Sequence, residues 1–293
     1  MGFLNHVKLW SDVLDPRLDE KAAPSLGGVH LGKEESIYID SAEFFRRTLI
    51  TRYMAEALEG VIDALTGRGG NKLFMLLSLF GGGKTHTLLT IYNAFRSPVA
   101  LLEAKAEDEE TRKRIQRLAE RLQSIKGISI VVLDGYFSEL MPTPVNSLDV
   151  GAYRVKTIWG SLAHQLGRYG EVRSNDEKLL APPADVILRV LGDQQVLILV
   201  DELADHVVRL KSAGDPQLRG YADQVVSFME TLAKAVDLTR NTILIVSMPA
   251  EEKGPRLEVE ERYKPVMNVV MGLYKSVCLL YTSDAADDGE SVD

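Results

Sequence analysis

Apolar residues recur along this chain with two different periods. Four short runs are apolar at almost every position: Leu73 to Leu77 (LFMLL), Ile128 to Leu133 (ISIVVL), the start of Val196 to Glu202 (VLILVDE), and Thr242 to Ser247 (TILIVS). Runs this short and this uniformly apolar read as strands buried on both faces. Between them the spacing becomes helical. Leu88, Leu89, Ile91 and Tyr92 predict a helix directly after the first run. Residues 107–124 (EDEETRKRIQRLAERLQS) predict a charged helix, with acids first and bases later as the helix dipole and i,i+4 pairing favour. Further helices are expected at 151–168, where Ile158, Leu162 and Leu166 share a face, at ADVILRVL after Pro182-Pro183, and at 203–212 and 216–237. Upstream, Asp40 and Glu43 fit a capping box, and FFRRTLITRYMAEALEGVIDAL predicts one long helix to Gly67. Residues 1–36, interrupted by prolines and glycines, read as an irregular arm. Strands alternating with helices imply an α/β fold with a mostly parallel sheet.

The junction after the first strand carries the strongest chemical signal. Gly81-Gly82-Gly83-Lys84-Thr85 interrupts the apolar pattern between strand and helix. Successive glycines let the backbone turn its N–H groups inward as an anion nest, and the helix adds the positive end of its dipole. In this reading Lys84 reaches the β and γ phosphates of a nucleotide, and the Thr85 hydroxyl ligates a bridging Mg²⁺. The full phosphate-loop pattern asks for glycine where this chain has Ser78. Phe80 and His86 flank the loop and complete the candidate nucleotide-binding set, with no chemistry assigned to His86 itself. The run VLILVDE ends in two acids, the form of a strand that delivers a carboxylate to the metal. Asp201 takes the metal role, and Glu202 is placed to activate water as a general base. Ser247, at the end of TILIVS, is a candidate γ-phosphate sensor. Asp134 closes another strand, where both ligand binding and turn chemistry with Gly135 are open readings.

Composition narrows the class. At 293 residues, with 45% hydrophobic and 26% charged positions, the chain suits one large α/β domain. No apolar run approaches the roughly 20 residues of a membrane span, and the start lacks the layout of a signal peptide, so a cytoplasmic protein without a membrane partner is expected. The lone Cys278 excludes an internal disulfide or a cysteine metal cluster. A net charge of −8 argues against a broadly basic nucleic-acid surface, leaving nucleic acid as an indirect partner at most. The last eleven residues hold five acids and no base, which leaves −3 for the remainder. No N-K-x-D guanine motif is present, so ATP is the expected nucleotide.

FFRRT, FGGGKTHTLLTIYN, KTIWGSLAHQLG and VLILVDEL together resemble the prokaryotic domain of unknown function 499 family of predicted AAA+-type ATPases, over residues 38–250. The resemblance implies a three-layer P-loop NTPase sandwich, with strand order 5-1-4-3-2, that binds and hydrolyses ATP with Mg²⁺. It also implies membership of anti-phage or DNA-modification systems, and assembly into a homo-oligomer or larger complex through a C-terminal part. From Ser276, SVCLLYTSDAADDGESVD departs from the family and resembles a translated sequencing adapter. The expected organisation is therefore an arm at 1–36, an ATPase core at 37–275 truncated before its lid, and a disordered or artefactual tail at 276–293. No fifth strand is evident, which places the phosphate-loop strand at an exposed sheet edge; the resemblance implies that the lid and the arginine finger lie near or beyond residue 275. The rival reading is a non-hydrolysing interaction module whose fold is ordered by nucleotide.

Overall fold

A computed structural model of the chain describes residues 24–78, 83–253, 256–259 and 278–281. Its centre is a sheet built from β1 (Leu73–Ser78), β2 (Ser129–Asp134), β3 (Val196–Asp201), β4 (Thr242–Lys253), β5 (Arg256–Val259) and β6 (Cys278–Tyr281). The strands lie in the order β6-β1-β4-β3-β2, all parallel, with β5 antiparallel on β4. Counting only the parallel strands, this is the order 5-1-4-3-2. The fold is α/β, with a connectivity compatible with P-loop and Rossmann-like architectures.

Both faces of the sheet are covered, which is why its strands are apolar without alternation. Strand side chains point alternately to opposite faces. Leu73, Met75, Ile198, Val200, Leu244 and Val246 accordingly pack into one core, and Phe74, Leu76, Leu197, Leu199, Ile243 and Ile245 into the other. The helices contributing to the first core are α6 (Ile158–Gln165), α8 (Ala184–Leu191), α9 (Leu203–Ser212) and α10 (Pro216–Leu238). The second is closed by α1 (Leu26–His30), α2 (Ser41–Arg47), α3 (Arg52–Leu65), α4 (Lys84–Arg96) and α5 (Glu109–Ser124). A further short helix, α7 (Arg173–Lys178), follows α6.

Four expectations are corrected. The single helix from Asp40 to Gly67 is two, because Thr48–Thr51, with three β-branched residues of four, leaves the helix: Leu49–Ile50 pair in parallel with Lys105–Ala106, and the Thr51 hydroxyl accepts from the Met54 N–H to begin α3. The helix expected at 151–168 shortens to α6, since Arg154–Val155 form a small antiparallel pair with Leu148–Asp149 and Thr157 caps the helix start. The irregular arm contains α1, whose Ser25 cap accepts from the Gly28 N–H at 3.1 Å; residues 1–23 lie outside the described residues. Finally, β1 is not an edge strand. Cys278–Tyr281, within the stretch read as a foreign tail, pairs with Phe74–Leu77. Cys-Leu-Leu-Tyr is apolar and strand-forming, a signal overridden at sequence level by the acidic residues that follow it; those, from Ser283, lie outside the described residues.

Candidate functional site

The loop before α4 turns through Gly83, whose φ of 78° lies in the left-handed region, and Lys84 and Thr85 are the first two helical residues. A side chain at position 83 would be strained, so glycine is needed there for conformation. Phe80, Gly81 and Gly82 lie outside the described residues. Gly83 is exposed, while Lys84, Thr85 and His86 are half-buried. His86 points its ring at Phe44, 5.3 Å between centroids, and burial lowers its pKa. It is therefore a neutral packing residue joining α4 to α2.

Across the sheet, β1 lies beside β4 and β4 beside β3, so the C-terminal ends of three strands come together in front of α4. The Thr85 hydroxyl donates to Asp201 Oδ2 at 2.9 Å, joining residues 116 positions apart. The Ser247 hydroxyl donates to Asp201 Oδ1, and the Glu202 N–H approaches the same oxygen at 3.2 Å. Asp201 is 1% exposed and Ser247 3%. A carboxylate buried this far must be compensated by donors, and here the donors come from each of the elements the sequence singled out.

Glu202 is held in an uncommon conformation. Its φ is 55°, one of two non-glycine residues in the left-handed region among those described, and it sits at the turn from β3 into α9. Such a backbone costs on the order of 1–3 kcal/mol and persists where neighbours over-determine it. The neighbour is Gly135. A Cβ on Gly135 would lie 2.3 Å from the Glu202 carbonyl oxygen, so only glycine allows the two turns to pack. Gly135→Ala should therefore destabilise the protein by roughly 1–3 kcal/mol, read as a lower urea midpoint; an unchanged midpoint would show that the turns are free to separate.

Burial pushes the Glu202 carboxyl up to about 7, helped by the charge of Asp201 and by a hydrogen bond with Asp205. Asp134, fully buried and opposite Asp201 in the strand register, is pushed up to about 6 by burial. Its oxygens accept from the Gly27 N–H at 2.7 Å and the Tyr136 N–H at 2.9 Å. Both carboxylate oxygens are thus engaged in tying α1 to the sheet and forming the turn. Gly27 was not visible as a site residue in the sequence, because its partner lies 107 positions away.

His206, also unassigned from sequence, packs beneath the Gly135 turn. It is 5% exposed, and burial lowers its pKa to about 4. A histidine depressed from 6.5 to about 4 is neutral when folded and charges more readily when unfolded. Its contribution is complete above pH 6.5 and is lost as pH falls towards 4. The stability advantage of wild type over His206→Leu should shrink by about 2–3 kcal/mol between pH 7 and pH 4, measured by urea unfolding at each pH. A constant difference would mean that His206 titrates normally.

The family model described as DUF499 N-terminal domain matches residues 1–284 of the chain. The chain belongs to the DUF499 family. The DUF499 match includes the loop at Gly83–Thr85, the Asp201 strand and the strand at Cys278–Tyr281. No curated protein and no solved structure matches this DUF499 chain. None of its described helices is long and apolar enough to cross a membrane.

Proposed function

We propose that this protein binds ATP with Mg²⁺ at the C-terminal end of its sheet and hydrolyses it, as an AAA+-like P-loop NTPase. The observation that carries the reading is the Thr85 to Asp201 hydrogen bond at 2.9 Å. A glycine loop and an acid-ended strand, each common alone, are joined at the two side chains that a Mg²⁺ ion bridging nucleotide phosphates requires.

The donor set fits the ion. Thr85 and Asp201 offer oxygen only, which suits a hard cation. The ion would be held largely by phosphate and water. When bound, Mg²⁺ would neutralise charge building on the phosphates and fix their orientation.

The chain's own residues divide the remaining work. The N–H groups at the start of α4 would face bound phosphates, and Lys84 would supply a cation there. Ser247 holds Asp201 in place through its hydroxyl. Glu202, with its carboxyl raised to about 7, has the basicity to take a proton from water near neutral pH. Its left-handed turn seats it directly after Asp201, at the end of β3.

The test is release of phosphate from ATP by the full chain with Mg²⁺, beside Asp201→Asn. The reading expects turnover that the variant loses. Tight nucleotide binding without turnover in wild type would favour an ordering role for nucleotide in an interaction module.

A further inference from the structure

A second concavity lies one turn away from the Asp201 cluster, between the loop after β2 and the helix α9. It encloses about 300 Å³, at the lower end of the range that ligand sites occupy. Tyr136, Val145, Asn146, His206, Arg209 and Leu218 are among its lining residues, and none of the lining residues is acidic.

Arg209 is the one charged residue in that lining. Its guanidinium lies over the Tyr136 ring, 5.5 Å from the centroid, and donates to the Gly135 carbonyl. Its charge acts on the buried Asp134, and the charges of Glu202 and Asp205 reach the Tyr136 ring beside it. A guanidinium carries five N–H donors in a planar fork suited to carboxylates, so most of its capacity remains unspent. Stacking on Tyr136 pre-orients the fork, which lowers the entropy lost on binding an anion.

A second polar atom lies in the same lining. His206, 5% exposed, has a buried Nε2 with no hydrogen-bond partner. Buried polar atoms are rarely left so without a reason. The rest of the lining is apolar or neutral, with Met141 and Leu210 buried, Leu218 half-buried, and Tyr136 and Val145 exposed to 59% and 56% at the surface.

We propose that this pocket binds the C-terminal carboxylate of a peptide chain whose last residue is apolar. The carboxylate pairs with Arg209, the last side chain fills the space beside Leu218, and the preceding backbone crosses the exposed rim of Tyr136 and Val145. Capture of a chain's C-terminal carboxylate is an established recognition mode, and a guanidinium is suited to pair with that group. A peptide is favoured over a small free acid because the exposed apolar rim would contribute nothing to a ligand contained within the pocket.

The experiment is calorimetric titration of the full chain, without nucleotide, using three probes: a short N-acetylated peptide ending in leucine, the same peptide amidated at its C-terminus, and isocaproate. The free-acid peptide should bind, with affinity about tenfold or more above both other probes. Arg209→Gln should lose that preference. Val145→Asp, a surface change with little demand on the fold, should weaken the peptide by a similar factor through like-charge repulsion. Failure of the peptide to bind, equal binding of the amide, or wild-type binding by both variants would overturn the proposal. Isocaproate binding as tightly as the peptide would overturn the assignment to a chain end.

Discussion

Lys84→Ala should abolish ATP binding at concentrations that saturate the wild type. The lysine directly follows Gly83, the described end of the glycine loop, and opens α4, where the helix dipole already favours anions. Removing a cation that contacts phosphate costs about 3 kcal/mol, or roughly two orders of magnitude in affinity. The fold should be unaffected, because the residue is half-buried at a helix start and contributes no apolar core packing. Calorimetry with ATP and Mg²⁺ measures the first claim and thermal unfolding the second. Retained affinity would mean that the glycines form only a turn.

Glu202→Gln should separate binding from chemistry. A general base contributes about 10²–10⁴ to rate, so the turnover number should fall by that factor while ATP affinity changes less than about threefold. The substitution also removes a charge that burial and Asp201 disfavour. An acid with a raised folded pKa loses stability as pH rises from its unfolded value through about 7. Glu202→Gln should therefore gain stability relative to wild type above neutrality and not at pH 4. Equal loss of binding in the Lys84 and Glu202 variants would contradict the assigned division of roles.

The central strands were legible because their burial on both faces writes itself as uninterrupted apolar residues, and the Gly83-Lys84-Thr85 turn because its chemistry needs neighbouring positions. The meeting of Thr85, Asp201 and Ser247 followed from those strands once their order was fixed. What escaped the sequence depends on contacts between distant segments. The break at Thr48–Thr51 is a local contest in which β-branched residues and a threonine cap defeat an otherwise continuous helical pattern. Pairing of Cys278–Tyr281 with β1 was hidden because four apolar residues beside an acidic run carry little weight alone. Gly135 looked like turn chemistry with Asp134, yet its small size is required by the Glu202 carbonyl, 67 positions later. His206 and Arg209 belong to no local motif and acquire meaning only from the turn they pack against.

The most direct test of the nucleotide reading is a calorimetric titration of the full chain with ATP, in the presence and absence of Mg²⁺. The Thr85 and Asp201 pairing predicts saturable binding that is markedly tighter with Mg²⁺, since the proposed ion would link both side chains to the phosphates. No saturable binding under either condition, or an affinity indifferent to Mg²⁺, would contradict it.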